Sequence, residues 1–488
     1  LLQFAENLTD REAADAVRSR IDWKYILGLE LTDSGFDHTV LSEFRSRLVE
    51  ADLEYQLFEM LLNTFRGANL IKPRGKQRTD ATHVLALVHT LNRLERVGET
   101  LRAALNALAT ATPTWLRAHL PQQWWERYTN RLDNYKLPKA ESERQALGAR
   151  IGEDGFWLLD LLEKETELSW LKQLEAVRTL KWLWADHFSK PPQAVHLLDK
   201  RELPPASKQL VSPYENEARY AHNHQKDWVG YKIHLTETCE EDKPHLIVDV
   251  QTTPATVPDE KVTLHVYQKL AGRALLPSKH YIDGGYANAE VVVKAKEEYA
   301  ITVIGPLQAE TTWQARAGEG FSQGDFKVDW QAEKVICPQG KASAQWKPGY
   351  RRSRSGLEEF ELIRIRFGDK DCKECLFRKK CTNSAQEPRE LVLQPQANYE
   401  MLQQAREYQA SVDFKREYSL RAGVEGTMSQ AVQRNDVRHA RYRGLAKNRL
   451  QDAMSAAALN LIRVSEWLDP RPFAKTRISA FAALKAVA

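Results

Sequence analysis

Through the first seventy positions, apolar residues recur at helical spacing. Thr9-x-x-Glu12 has the form of a capping box and opens a helix over residues 10–20, with Ala13, Ala14, Val17 and Ile21 along one stripe. A second helix begins near Asp37 and carries Val40, Leu41, Phe44 and Leu48; a third, over 52–65, carries Leu53, Leu57, Leu61 and Leu62. From Gln77 to Leu87 the pattern changes: Thr79, Thr82, Val84 and Leu85 favour a strand, with Asp80 inside it. Residues 88–200 are again leucine-rich and helical. Their tryptophans (Trp115, Trp124, Trp125, Trp157, Trp170, Trp182 and Trp184) read as core packing rather than as a base-stacking surface.

Beyond Trp228 the alternation is that of strands. Gly230-Tyr-Lys-Ile-His-Leu-Thr-Glu-Thr238 and His245-Leu-Ile-Val-Asp-Val-Gln-Thr-Thr253 flank Asp242-Lys-Pro244, as in a hairpin. Residues 259–270 read as a helix, and His280-Tyr-Ile-Asp283-Gly-Gly-Tyr286 as a short strand ending in a glycine turn. A helix over 289–298 follows, then a strand, Ile301-Thr-Val-Ile304, stopped by Gly305-Pro306. This order predicts a mixed α/β sheet. Residues 310–395 interrupt it with a Gly-, Lys- and Arg-rich, β-poor stretch containing short β-like pieces such as Glu361-Leu-Ile-Arg-Ile-Arg-Phe367, and helix returns over 398–468.

Composition narrows the class. With 42% hydrophobic and 28% charged residues in 488, the chain reads as an ordinary folded protein. A net charge of +4 is too mild to imply nucleic acid, so any DNA contact depends on where the charges sit. No apolar run approaches the roughly 18–20 residues of a membrane span, and Glu6, Asp10 and Glu12 do not fit a signal peptide. Five cysteines, four of them in one region, do not make a secreted disulfide framework. A cytoplasmic protein without a membrane partner is expected.

The densest chemistry lies near the C-terminus. Tyr418, Arg421 and Glu425 follow the spacing Y-x2-R-x3-E, which places them on one stripe of a continuous helix. Arg434, Arg438, Arg441, Arg443 and Lys447 follow, so the acid stands beside a phosphate-binding surface. Asp80 and Asp283 occupy strand-like positions, where a lone carboxylate is costly to bury unpaired. Each of the three acids alone could be a helix cap or an ion-pair partner. Together at the end of an α/β sheet, they would bind two hard divalent cations, Mg2+ or Mn2+, through oxygen.

Cys337, Cys372, Cys375 and Cys381 give the spacing C-x34-C-x2-C-x5-C, which suits tetrahedral structural Zn2+; the alternative is four unrelated thiols. Such a site would staple a segment short of apolar residues. Cys239 stands apart on a strand and reads as a small buried hydrophobe. Lys370, Lys373, Arg378, Lys379 and Lys380, with Arg351, Arg352 and Arg354 upstream, offer further phosphate contacts.

With these motifs the chain resembles bacterial insertion-sequence transposases of the DDE superfamily, in the branch with an N-terminal helical domain and a cysteine-bearing insertion. The resemblance covers nearly the whole chain. It rests on Ile21-Asp-Trp-Lys-Tyr, Phe36-Asp, Leu41-Ser-Glu-Phe-Arg45, Arg78-Thr-Asp80-Ala-Thr-His, Gly230-Tyr-Lys-Ile-His-Leu-Thr-Glu-Thr, Asp283-Gly-Gly-Tyr286 and the Tyr418/Arg421/Glu425 motif. It implies an α/β fold with an RNase H-like catalytic core, a large helical insertion after the first core strand and a zinc-binding insertion before the Glu helix.

The segments would be 1–70 (helical, for DNA binding or dimerisation), 71–90 and 226–309 (core), 91–225 (helical insertion), 310–395 (zinc-binding insertion) and 396–488 (core with the Glu helix). Asp80 becomes the first catalytic Asp, Asp283 the second and Glu425 the Glu. Tyr418, Arg421, Arg434, Arg438 and Arg441 become motif or DNA-phosphate residues. Asp249 is the rival for the first position; Asp80 is preferred because Asp249 lies on the second of the two strands that would follow the Asp-bearing one. Members often carry a lysine seven residues after the Glu, where this chain has Val432, so that contact falls to Arg434 or Arg438.

The implied activity is DNA transposition. Element ends (terminal inverted repeats) would be bound, phosphodiesters cut with two Mg2+ ions and strands joined to target DNA, with a homodimer on DNA and a bacterial, nucleoid-associated location. The alternatives are an inactive transposase-derived DNA-binding protein and an RNase H-like nuclease without strand transfer.

Overall fold

One strand, β1 (Lys76–Leu85), contributes to both of the compact units into which the chain divides. Its residues up to Thr79 belong with 258–424, and from Asp80 onward with 1–72, 80–257 and 425–488. The computed structural model describes residues 1–88, 91–132, 137–189, 194–223, 226–307, 313–317, 320–352, 359–384 and 386–470.

In the first unit, the long strand β3 (Lys226–Thr238) organises the sheet. The antiparallel β2 (Arg219–Asn223) pairs with its first residues, and the antiparallel β4 (Ile247–Pro254) with Tyr231 to Glu237, so the expected hairpin forms. β1 joins β3 closely: Ala86 N–H donates to Val229 O at 2.9 Å. Gly230 makes this possible. Its φ of +149° disfavours a side chain, and a Cβ there would overlap the backbone of Val84 and Ala86.

Helix Leu445–Leu468 packs on β4 and is buried at every position from Leu450 to Asn460, far beyond one amphipathic stripe. Four of those positions are alanines, which allow close approach. The polar ones are matched to the sheet: Asn460 bonds both backbone groups of Ile247, at 2.8 and 2.7 Å, and Thr252 Oγ1 donates to Asp452 Oδ2 at 2.6 Å. The N-terminal helices pack on the same rod, with Phe4, Leu48, Val49 and Leu57 against Leu450, Met454 and Ala458.

Helix Asp10–Ser19 opens with the predicted capping box. Helix Thr39–Glu50 is where expected but rotated. It packs through Leu41, Arg45, Leu48 and Val49, leaving Val40 and Phe44 exposed, because the buried Arg45 turns inward to pair with Asp10. Two short helices, Leu2–Ala5 and Ile21–Leu27, have no counterpart in the sequence reading. Neither has a side-chain cap, and Ile21, Tyr25, Ile26 and Leu27 are exposed.

The helical region between β1 and β2 has its own core, built on helices Arg93–Ala111, Glu141–Lys164 and Glu175–His187. Trp124 and Trp184 are buried there as expected, whereas Trp125, Trp157 and Trp170 remain nearly half exposed.

The second unit contains a parallel set. Lys76–Arg78 of β1 pairs with β5 (Lys279–Tyr281), and β5 with β6 (Thr302–Ile304). Helices Asp259–Gly272 and Ala289–Tyr299 alternate with these strands.

Residues 310–395 are not β-poor. They form a hairpin of β7 (Lys327–Asp329) and β8 (Lys334–Ile336), and an antiparallel sheet of β9 (Gln345–Arg352), β10 (Glu359–Arg366) and β11 (Glu390–Leu393). Phe326, Val335, Ile365, Phe367, Leu391 and Leu393 make a core of their own. No strand supplies more than two of these residues, so no short window displays the pattern.

Asp452 gives this architecture a pH signature. Complete burial raises its carboxyl pKa to about 7, against a partial opposing effect from Thr252. A carboxyl raised on folding favours the protonated form, so its contribution to stability is full near pH 4 and is lost as pH rises through about 7. Asp452→Asn should therefore raise Tm more at pH 8 than at pH 5; an equal effect at both, by scanning calorimetry, would remove Asp452 as the source.

Candidate functional site

Asp80 sits half-buried on β1, where its Oδ1 accepts the Ala81 N–H at 2.8 Å. The strand beyond it is flanked by the 438–440 segment. Leu85 N–H donates to Arg438 O at 2.7 Å, Ala440 N–H returns to Leu85 O at 2.9 Å, and Arg438 Nε donates to Thr82 Oγ1 at 3.0 Å. On the other side Lys226 Nζ lies 2.8 Å from His83 Nε2. Burial, then Lys226, Arg438 and His439, push His83 down to a pKa of about 4. The rival Asp249 is placed differently: it is 1% exposed on β4 and accepts from Gln251 Nε2 at 2.7 Å.

Asp283 lies two residues beyond β5, in the turn rather than on the strand. Ile282 is still tied to Ile304 (3.1 Å). The Asp283 carboxylate accepts Gly285 N–H at 2.7 Å, and its carbonyl accepts from Tyr286 and Ala287. The Gly285 position borders two acids, since a Cβ there would lie 3.1 Å from Asp283 Oδ1 and 3.4 Å from Asp259 Oδ2. Asp259, the first residue of its helix, escaped the sequence reading because an acid at that position looks like an ordinary helix start.

The Tyr418/Arg421/Glu425 motif does not lie along one helix. Tyr418 ends helix Val412–Tyr418, Arg421 lies in the 3-10 turn Ser419–Ala422, and Glu425 is in the first turn of helix Gly423–Asn435. The break has a visible cause in the second unit. Arg78 reaches in to donate to Leu420 O at 2.7 Å, and its guanidinium fills the space a side chain at 423 would need. Arg421 is held over the Tyr418 ring (5.9 Å), which stacks on Phe414 (5.3 Å).

Glu417, one residue before the motif, was missed. It accepts from Lys279, Tyr281 and Tyr408, tying the motif to β5. Burial raises its pKa, but Lys279 and Tyr408 hold it below the usual carboxylate value.

Glu425's helix is fastened in the first unit by a buried carboxylate. Glu237 of β3, 0% exposed, pairs with Arg463 at 2.8 Å and also accepts from Thr427; Arg463 reaches Thr427 Oγ1 and His245 O, both at 2.7 Å.

The three arginines expected at DNA phosphates go to different places. Arg438 borders β1, Arg434 pairs with Glu466 at 3.6 Å on the surface, and Arg441 turns to the N-terminal helices. Arg441 donates to Leu8 O (3.0 Å) and Asn7 and lies over the Phe4 ring at 5.2 Å.

None of the five cysteines forms a disulfide, and Cys239 is buried just past β3, as expected of a small hydrophobe. Cys337, Cys372, Cys375 and Cys381 line one cavity with Phe321, Phe326 and Phe367. Gly340, at φ +76°, closes a tight turn in which Lys341 N–H approaches Cys337 Sγ at 3.4 Å. Burial pushes the Cys381 thiol up to about 11, and the other three sulfurs add to the rise while Arg389 opposes it. Among the described residues, however, no group of three or more His, Cys, Asp or Glu side chains is arranged to hold a metal ion, at the carboxylates or at the cysteines.

Two family models match the chain. One, described as a transposase DDE domain, covers residues 336–465; the other, a transposase domain (DUF772), covers residues 1–47. Together the two matches support an insertion-sequence DDE transposase. No curated protein and no solved structure matches it. The DDE match includes the four cysteines and Tyr418, Arg421 and Glu425, but neither Asp80 nor Asp283. Among the described residues no helix is long and apolar enough to cross a membrane.

The contacts of Arg441 make it a structural anchor. Arg441→Ala should cost about 1–3 kcal/mol, the usual loss for hydrogen bonds to a charged group, while Arg434→Ala should leave denaturant midpoints nearly unchanged. Equal midpoints for the two variants would contradict this.

Proposed function

We propose that the transposase binds the ends of its element, cuts phosphodiesters with two divalent cations and transfers the freed 3′-hydroxyl to target DNA. The observation that carries this reading is the DDE-domain match running through Tyr418, Arg421 and Glu425. In this reading the mixed sheet is an RNase H-like core, supported by parallel β1, β5 and β6 and by the antiparallel β3–β4 pair. β1 and β5 pair at an offset of 203 positions, Lys76 with Lys279, and 203 positions also separate Asp80 from Asp283. Each acid thus follows by two the last residue of the β1–β5 register, Arg78 with Tyr281. This favours Asp80 over the buried Asp249.

Asp80, Asp283 and Glu425 would hold the ions; carboxylate oxygen is the chemistry that hard Mg2+ or Mn2+ selects. When bound, such a pair lowers the pKa of a nucleophilic water or hydroxyl and stabilises the leaving oxygen. The chain's own side chains act around it. Arg421, steadied on Tyr418, would offer positive charge to the scissile phosphate, and Glu417 fixes that turn to β5. With Val432 in the position often held by lysine, Arg438, which flanks β1, would meet a phosphate there. Joining two ends in one complex calls for two copies of the chain on double-stranded DNA.

Glu425→Gln should leave end-DNA binding intact and reduce Mg2+-dependent nicking by more than about 100-fold, beyond what changes to residues merely supporting a metal ligand produce. Retained nicking would overturn the Glu425 role. Wild-type binding without nicking would favour a DNA-binding protein, and nicking without joined products a nuclease.

The cysteine cavity would hold a structural zinc through four sulfurs, a donor set suited to that ion. Purified protein should carry about one zinc per chain by elemental analysis, lost in Cys372→Ser, and a chelator should lower Tm. Metal-free protein with unchanged Tm would remove zinc from the account.

A further inference from the structure

Three backbone stretches that are distant in sequence run side by side at the end of β1: β1 itself, the start of β3, and the 438–440 segment, joined by the Ala86–Val229 and Leu85–Arg438 hydrogen bonds. They bring together His83, Lys226, Arg438 and His439. The Lys226 ammonium donates to His83 Nε2, which leaves the imidazole neutral with its proton on Nδ1, a further donor. The His83 ring is backed by Trp228 at 5.9 Å.

The neighbouring acids are already engaged. Asp436 pairs with His439 Nδ1 at 2.6 Å, and Asp227 with His222 at 2.6 Å and with Tyr220. Among the described residues neither Lys226 nor Arg438 forms an ion pair, although Lys226 is bonded to His83 and Arg438 to the adjacent Thr82. Gathering cations without a counter-charge is unfavourable; His83, kept neutral mainly by burial and further by Lys226, Arg438 and His439, adds no charge of its own. An anion settling among them would relieve that cost.

We propose that His83, Lys226 and Arg438 form a binding site for a backbone phosphate of DNA, three residues along β1 from Asp80. The site rests on the transposase reading for its ligand, and adds to Arg438 two residues, His83 and Lys226, that the reading does not use. Charge distribution selects DNA over an acidic protein partner, because the site opens a basic run: residues 434–449 hold six Lys or Arg against one Asp. Residues 1–72, with thirteen acidic and eight basic side chains, are the poorer surface for phosphate. Lys226 contributes a mobile charge, Arg438 a fork already oriented by Thr82, and His83 a neutral donor.

The test is a salt titration of binding to a labelled duplex carrying the element end, without added divalent cation. Lys226→Ala should weaken binding several-fold and reduce the slope of log K against log salt by about 1, the loss of one phosphate contact. Lys226→Arg should restore both, and His83→Ala should weaken binding with little change in slope. An unchanged slope in a Lys226→Ala protein that keeps wild-type circular dichroism would overturn the site while leaving the transposase reading intact. Wild-type protein that fails to bind the duplex at all would overturn that reading, and the site with it.

Discussion

Glu237 is fully buried on β3, and its carboxylate is met by Arg463 from the C-terminal helix and by Thr427 from the helix that begins beside Glu425. A charge taken out of water in this way is tolerated only with a close, well-hydrogen-bonded partner, and removing one member of such a pair typically costs about 3–5 kcal/mol. Arg463 satisfies more than the ion pair: it also reaches Thr427, Gln430 and the carbonyl of His245, beside β4. The sheet, the C-terminal helix and the helix carrying Glu425 are therefore indexed to one another through a single guanidinium. Conformational precision at Glu425 in the first unit follows from that burial.

What the residue pattern revealed was local and strongly periodic. The Thr9/Glu12 capping box, the β3–β4 hairpin and the strand around Asp80 all show in a window of a few residues. The failures share a cause: tertiary contacts set the outcome. Arg45 turned a helix by pairing with Asp10, a partner 35 positions away, and Arg78 broke a helix 342 positions downstream at Leu420. The sheet of β9, β10 and β11 was hidden because its core is assembled from single residues on many short segments.

The chemistry was legible to a similar depth. Tyr418, Arg421, Glu425 and the four cysteines could be named from spacing, and the cysteines do share one cavity. Supporting groups could not. Glu417 and Asp259 look like ordinary charged helix residues until their partners are seen, and Lys226 acquires meaning only beside His83. Arg434, Arg438 and Arg441 look alike in sequence, yet one pairs on the surface, one flanks β1 and one anchors the N-terminus. Charge identity was readable, whereas its destination depended on which backbone carbonyls and acids came within reach.

The docking of Phe4 on Leu450, Met454 and Ala458 has a consequence in time. Asn435 closes the same contact by donating to the Phe4 carbonyl across 431 positions. At about 5–20 residues per second, a ribosome needs roughly 20–90 seconds between exposing the first helix and delivering the rod that covers it. Throughout that interval the N-terminal apolar residues have no permanent neighbour, and they are open to chaperones or to another nascent chain. A product ending before Leu445 would lack this cover, so helix Leu445–Leu468 makes the packing of Phe4 conditional on synthesis past that point.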